Sequence, residues 1–119
     1  MKTAHDALVE LRALLAPDRW CQCAPAMDER GAPVTARDPS ACQWCLVGGS
    51  LRVCLDPLDP TFNQSDRHLF REVQGVLSQS IKDTFPSWSY SSVELFNDAP
   101  ERTYADILRV LDQAVAFTA

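Results

Sequence analysis

Apolar residues recur at helical spacing in four stretches of the chain, and these stretches predict its main helices. The first stripe follows Thr3 and stops before a proline, and the last stripe follows Thr103. Each threonine can cap a helix, and an acidic residue three positions further on favours the first helical turn. Another stripe begins at Ser65 or Asp66 and ends where residues 85–87 interrupt it.

The remaining stripe, residues 38–55, predicts a central helix. Asp38 can cap it, and Pro39 suits the first helical position. Apolar side chains occupy two of its faces: Cys42, Cys45, Leu46, Gly49 and Val53 on one, and Trp44, Val47, Leu51 and Leu55 on the other. A helix that is apolar nearly all round is typically buried. Gly48 and Gly49 in its interior indicate the close approach of another element.

Between the first two helices, the pattern changes to short segments that are typical of strands. Residues 20–24 can form a strand, residues 28–31 have turn chemistry, and residues 32–36 can return antiparallel. Pro25 and Pro33 restrict both arms to edge positions. We therefore expect one β-hairpin before the central helix.

The segment before the last helix predicts a single helical turn. Ser91 with Glu94 three residues later resembles a capping box, so this turn can extend through Phe96. Asn97 and Asp98 then begin a turn. Their side chains either cap backbone groups, which is the interpretation we favour, or line a pocket.

Composition fits a soluble globular protein. The chain has 119 residues, of which 46% are hydrophobic and 23% are charged, and this length suffices for one core. We expect a single domain, residues 1–119, of the α+β class that is mainly α. About four helices pack around the central buried helix, with one β-hairpin.

Charge and hydropathy exclude several classes of partner. No apolar run approaches the roughly 20 residues of a membrane helix. The N-terminus lacks the apolar core of a signal peptide, so we expect a cytoplasmic protein without membrane contact. The net charge of −5, with no basic stripe, argues against direct nucleic-acid binding.

The five cysteines are the one group of residues in the sequence whose spacing indicates a specific chemistry. Cys21 and Cys23 would share one face of a strand, and Cys42 and Cys45 would share one face of the first helical turns. Because the hairpin leads into that helix, the four thiolates could converge on a structural zinc ion. Cys54 would lie on the opposite side of the helix.

Two other interpretations of these cysteines stay open. All five can be reduced, buried, small hydrophobic side chains, as free cysteine often is. Alternatively, a pair of them can form a redox-sensitive disulfide, although an odd number leaves at least one thiol unpaired.

Other polar residues do not form a recognisable catalytic set. His5 and His68 stand alone at helix starts, where surface or capping roles are expected. Asp56, Asp59 and Asp66 surround a loop, but a calcium loop needs ligands at alternate positions and a glycine. The chain also lacks phosphate-loop, dinucleotide, zinc-protease and nucleophile-elbow motifs.

Short motifs occur along the chain in a defined order. Trp20-x-Gln22 precedes the hairpin, Cys45-x-x-Gly48-Gly49 lies in the central helix, and Phe96-Asn97-Asp98 precedes the last helix. This order resembles a family of short uncharacterised bacterial and phage proteins, a domain of unknown function common in actinobacteria, with the motifs W-x-Q, C-x-x-G-A and F/W-N-D.

The resemblance covers most of the chain and implies no catalytic activity. It implies that six residues shape the shared fold: Trp20, Gln22, Cys45, Gly48, Asn97 and Asp98. Gly49 stands where the family usually has alanine. Cys21, Cys23 and Cys42 are additional to the family pattern.

Two functions from different classes follow from these observations. The first is a small non-enzymatic module that binds a protein partner and regulates it, and one form is a phage or mobile-element inhibitor of a host defence system. Small size, acidic balance and the missing catalytic set favour it. The alternative is a zinc-stabilised or thiol-redox protein that uses the cluster of Cys21, Cys23, Cys42 and Cys45, and in the redox form Cys42 or Cys45 is a thiolate at a helix N-terminus.

Overall fold

The computed structural model describes residues 2–56, 58–59, 61–90 and 92–119. Within these ranges, five helices and a small three-stranded antiparallel sheet form a mainly helical α+β fold, which confirms the predicted class. The elements in chain order are α1 (Ala4–Leu14), β1 (Ala26–Met27), β2 (Pro33–Val34), β3 (Gln43–Trp44), α2 (Leu46–Cys54), α3 (Gln64–Thr84), α4 (Val93–Asp98) and α5 (Tyr104–Thr118).

The first and last helices begin where the sequence predicts. The Thr3 hydroxyl accepts a hydrogen bond from the Asp6 backbone N–H, and the Asp6 carboxylate accepts one from Thr3 N–H. Thr103 and Asp106 form the same reciprocal pair at the start of α5. Each box satisfies two N–H groups that a helix end leaves without an intrahelical acceptor.

The central helix is shorter than predicted. It begins at Leu46 rather than near Pro39, because residues 43–44 form a strand that pairs with β1. The Asp38 carboxylate accepts hydrogen bonds from the backbone N–H and the hydroxyl of Ser40, so it stabilises a turn instead of capping a helix. The helix still packs against α1, α3 and α4, with Leu46 fully buried.

The predicted hairpin exists, but its first arm is displaced. Strand β1 is Ala26–Met27 and pairs antiparallel with both β2 and β3, giving the order β2-β1-β3. The turn over residues 28–31 occurs as predicted, with Gly31 at a positive φ of 76°. The predicted strand at residues 20–24 is wrong, because Cys23 adopts a left-handed φ of 66°, which interrupts an extended backbone.

The remaining helices differ from the predictions by a few residues. Helix α3 begins after Asn63, whose side chain accepts from Asp66 N–H, and it ends at Thr84. Helix α4 is capped by Ser92, and the predicted cap Ser91 lies outside the described residues. Asn97 and Asp98 belong to the end of α4 rather than to the turn that follows.

The core lies between the four longer helices and α4. Its largest fully buried side chains are Phe96, Leu8, Leu11, Leu15, Leu46, Leu77, Ile81, Ile107, Leu111, Val73 and Val110, together with Asn97. No helix within the described ranges combines the length and the apolar character that crossing a bilayer requires.

Candidate functional site

The fully buried side chain of Asn97 links three distant parts of the chain. Its Oδ1 accepts hydrogen bonds from Trp20 Nε1 at 2.8 Å and from Leu46 N at 3.1 Å. Its Nδ2 donates to Cys21 O at 3.1 Å and to Asp98 Oδ1 at 3.0 Å. These four bonds use all the hydrogen-bonding capacity of an amide side chain. Leu46 N–H is also one of the donors that the start of α2 leaves unsatisfied.

Gln22 and Asp98 extend this arrangement. Gln22 Nε2 donates to Asn97 O at 3.0 Å and to Ala99 O at 2.9 Å, which satisfies carbonyl groups at the end of α4. Asp98 Oδ1 accepts from Cys23 N at 2.9 Å and so holds the left-handed backbone of Cys23. We call Trp20, Gln22, Leu46, Asn97 and Asp98 the Asn97 junction.

Gly48 brings α2 into direct contact with the segment before β1. A Cβ atom at this position would lie 1.9 Å from the Pro25 carbonyl oxygen, so only glycine fits without moving backbone. The same Pro25 oxygen accepts from Cys45 N at 3.2 Å, and Cys45 Sγ accepts from Gly48 N at 3.2 Å. The close approach expected from the glycine pair is therefore confirmed at Gly48.

The six residues that the family resemblance implies are thus joined by hydrogen bonds or tight packing at one place. They hold the start of α2, the end of α4 and the segment around Cys23 together. Asn97 is fully buried, which fits the capping role that we favoured over a pocket-lining one.

The four candidate zinc ligands occupy different environments. Cys21 and Cys45 are buried, Cys42 is half-buried and Cys23 is exposed, and all are free thiols. Cys42 lies before β3 and Cys45 is the N-cap of α2, so the expectation that they share a helix face is wrong.

Within the described part of the chain, no group of three or more His, Cys, Asp or Glu side chains is arranged to hold a metal ion. The zinc site at Cys21, Cys23, Cys42 and Cys45 stays a prediction from the sequence.

Burial also changes the acidity of the thiols. It raises the pKa of Cys21 to about 12 and raises the pKa of Cys45 even though the backbone N–H of Gly48 donates to that sulfur. The pKa of Cys54 also rises to about 12 through burial. A thiol with a raised pKa is protonated at neutral pH, whereas a nucleophile or a metal ligand is a thiolate. The raised pKa of Cys45 therefore gives no support to the redox alternative at that thiol.

A cleft of about 870 Å³ lies where the start of α1, the end of α2 and the start of α3 meet. Residues 2–4, 54–56, 63–66, 68, 69 and 72 form its walls. We call it the Asp66 cleft, because the acidic side chain of Asp66 is buried in its wall. His68, expected to have a surface or capping role, is exposed at this cleft. His5 instead contacts the hydroxyl of Thr118, with 3.1 Å between Nδ1 and Oγ1.

Asp66 is only 7% exposed, and its Oδ2 atom has no hydrogen-bond partner among the described residues. The cleft contains one lysine, Lys2, whose Nζ already donates to Val53 O at 2.8 Å and contacts Glu10 Oε2 at 2.6 Å. Asp56 and Glu72 add two exposed carboxylates. The cleft therefore carries acidic groups that its own lysine does not pair.

The sequence gives no signal for this cleft. An aspartate in the first turn of a helix is favourable whatever surrounds it, so Asp66 resembles Asp6 or Asp106 in sequence. Its burial depends on the end of α2 and the start of α1, which are distant along the chain.

Comparison with known protein families supports the resemblance to an uncharacterised family. The model of a family of unknown function, DUF6197, matches residues 1–117. No curated protein and no solved structure matches the chain. Because the family model spans nearly the whole chain, the protein belongs to DUF6197, a family of unknown function.

Proposed function

We propose that this protein is a small non-enzymatic module that binds a protein partner and regulates it through the Asp66 cleft. The observation that carries the proposal is a concave surface whose acidic groups exceed its available basic ones. Clefts lined by one sign of charge concentrate ligands of the opposite sign and raise their association rate. The partner surface is therefore expected to be basic.

The charge of the whole chain supports the same proposal. Sixteen acidic residues stand against eleven lysines and arginines, for a net charge of −5. This excess of negative charge assists association with a basic partner at low and physiological ionic strength. Higher salt concentrations screen the attraction.

The proposal includes a cytoplasmic location. All five cysteines are free, and unpaired thiols are typical of proteins in reducing compartments. A phage or mobile-element inhibitor of a host defence system is one form of such a module, because an acidic surface can occupy the basic channel of a nucleic-acid enzyme.

Affinity capture tests the proposal. The wild-type chain and a variant with Asp56→Asn, Asp66→Asn and Glu72→Gln would be immobilised and exposed to lysate near physiological salt. A basic protein should bind the wild type in a saturable manner, and the triple variant should capture much less of it. An Asp83→Asn variant removes a carboxylate of α3 outside the cleft walls and should bind as the wild type does.

A negative outcome is equally clear. If no protein binds the wild type specifically, or if the partner binds the triple variant equally well, the proposed function is wrong.

The inhibitor form has its own test, since expression of the chain in a host with an active defence system should raise the plating efficiency of a sensitive phage. Unchanged plating across defence systems that use nucleic-acid channels would contradict that form.

A further inference from the structure

We infer that the Asp66 cleft binds a guanidinium group, presented by an arginine side chain of the partner protein. This inference rests on the proposed function and adds the chemistry of the contact. Its starting point is the buried carboxylate oxygen of Asp66, which has no hydrogen-bond partner among the described residues.

A buried carboxylate oxygen without a hydrogen-bond partner is costly, because its acceptor sites lose water. A cation with N–H donors supplies both an opposite charge and the missing hydrogen bonds. Because the terminal torsion of an aspartate is broad, either carboxylate oxygen of Asp66 can turn towards such a group.

The surrounding groups also favour a cation. The C-terminal end of α2 contributes Cys54 to the cleft wall, and the last turn of a helix carries the negative end of its dipole. The starts of α1 and α3 also lie there, but Thr3 and Asn63 already accept hydrogen bonds from the first-turn N–H groups of Asp6 and Asp66. Two of the first-turn N–H groups at the cleft are therefore already satisfied within the chain.

A metal ion fits the cleft less well than an organic cation. The cleft carboxylates do not form a group of three arranged to bind one ion, as judged over the described residues. Guanidinium is favoured over ammonium because its planar fork pairs with a carboxylate through two bonds, and because it is more weakly hydrated. Leu55 and Leu69 in the walls can pack against the aliphatic part of an arginine side chain.

The test uses the full chain labelled with ¹⁵N and the blocked amino acid N-acetyl-arginine-N′-methylamide as the probe. The probe should shift the backbone amide signals of residues 2–4, 54–56 and 63–72 in a saturable manner. The citrulline analogue has the same shape without the charge, and it should bind about tenfold more weakly or not at all. The lysine analogue should also bind more weakly than the arginine probe.

Asp66→Asn should weaken arginine binding by about tenfold or more, since it removes a charge-assisted contact and keeps the shape. Asp83→Asn is the matched control on the same helix and should bind as the wild type does. Amide signals outside the cleft report whether Asp66→Asn is folded. If that variant is unfolded, Glu72→Gln, at an exposed position of the same cleft, should weaken binding about two- to threefold.

Butylguanidine, a free guanidinium compound with a single charge, distinguishes the two sources of this chemistry. A blocked Gly-Arg-Gly peptide that binds more tightly than butylguanidine supports an arginine of a protein, whereas tighter binding of butylguanidine overturns that assignment. Equal binding of the citrulline and arginine probes, tighter lysine binding, or shifts elsewhere in the chain would overturn the guanidinium site. If Asp66→Asn captures the protein partner as well as the wild type does, this inference is wrong while the proposed function stands. If the arginine peptide binds but no protein partner is captured, the proposed function is wrong.

Discussion

The indole Nε1 of Trp20 donates a hydrogen bond to Oδ1 of Asn97 at 2.8 Å, across 77 positions of sequence. The Asn97 side chain is fully buried, and the backbone groups Leu46 N and Cys21 O bond to the same amide. The contact with Trp20 makes a residue of the short helix α4 responsible for the position of the segment before β1.

Replacing Asn97 should therefore be among the most destabilising single changes in the protein. Asn97→Ala leaves Trp20 Nε1, Leu46 N and Cys21 O without their partner, and we expect a loss of about 3 kcal/mol or more in the free energy of unfolding. Urea denaturation measures it. Asn63→Ala removes the cap of α3 and a hydrogen bond to the Asp59 carboxylate, and it should cost about 1 kcal/mol. Equal losses in the two variants would contradict the role of the junction.

Two glycines in helices should respond oppositely to the same substitution. Gly48→Ala places a Cβ within 1.9 Å of the Pro25 carbonyl oxygen, so backbone must move, and the variant should be severely destabilised or fail to fold. Gly75→Ala meets no atom within 4 Å and should raise the free energy of unfolding by about 0.5–1 kcal/mol, because alanine favours the helix. Thermal unfolding of both variants checks the pair, and a stable Gly48→Ala protein would show that α2 and Pro25 do not touch.

Cys54 should make stability depend on pH in the alkaline range. Its pKa is raised to about 12 in the folded chain by burial, whereas a thiol in an unfolded chain titrates near 8.5. Above roughly pH 8.5 the unfolded state loses this proton while the folded state keeps it, so the free energy of unfolding falls as pH rises. The contribution of Cys54 is complete below this range and is lost progressively towards pH 12.

Cys54→Ala should remove this contribution and give a shallower decline between pH 8.5 and 11, by up to about 1.4 kcal/mol per pH unit. Val73→Ala is the control, because it shortens a fully buried side chain that does not titrate. That variant should be less stable at every pH with an unchanged slope. The same slope in wild type and Cys54→Ala would show that the thiol ionises equally in both states.

The zinc site predicted from the sequence has a direct test in elemental analysis of protein purified without an affinity tag. If Cys21, Cys23, Cys42 and Cys45 hold zinc, the ion should be present at about one per chain and a strong chelator should loosen the hairpin. Cys21→Ser should lose the metal and lower the melting temperature, whereas Cys54→Ser should keep the metal. A zinc content far below one ion per chain, together with four thiols that can be titrated, would contradict the zinc site. The four cysteines would then be reduced or buried side chains without a metal.

Local signals explain which parts of the fold could be predicted. Thr3 and Thr103 begin helices because each capping box needs only residues three positions apart. Asp38 and Pro39 carry a similar local signal, but the same residue types also begin turns, and pairing of residues 43–44 with β1 decides the outcome. That pairing joins residues distant along the chain, so periodicity alone cannot show it.

The candidate site was harder to predict for the same reason. The family resemblance points to the motif residues around Asn97, but their hydrogen bonds to one another join distant positions and depend on the three-dimensional fold. Asp66 had no distinguishing signal, because its burial depends on the packing of three helix ends rather than on its neighbours in sequence.

The position of Asn97 late in the chain also has a consequence for biosynthesis. A six-residue helix such as α4 cannot persist alone, yet its amide side chain anchors segments made much earlier. While the ribosome is still translating the first 90 residues, Trp20, Leu46 and Cys21 lack their shared partner. The bonds that join the segment before β1 to the start of α2 through Asn97 can therefore form only after the last quarter of the polypeptide has emerged.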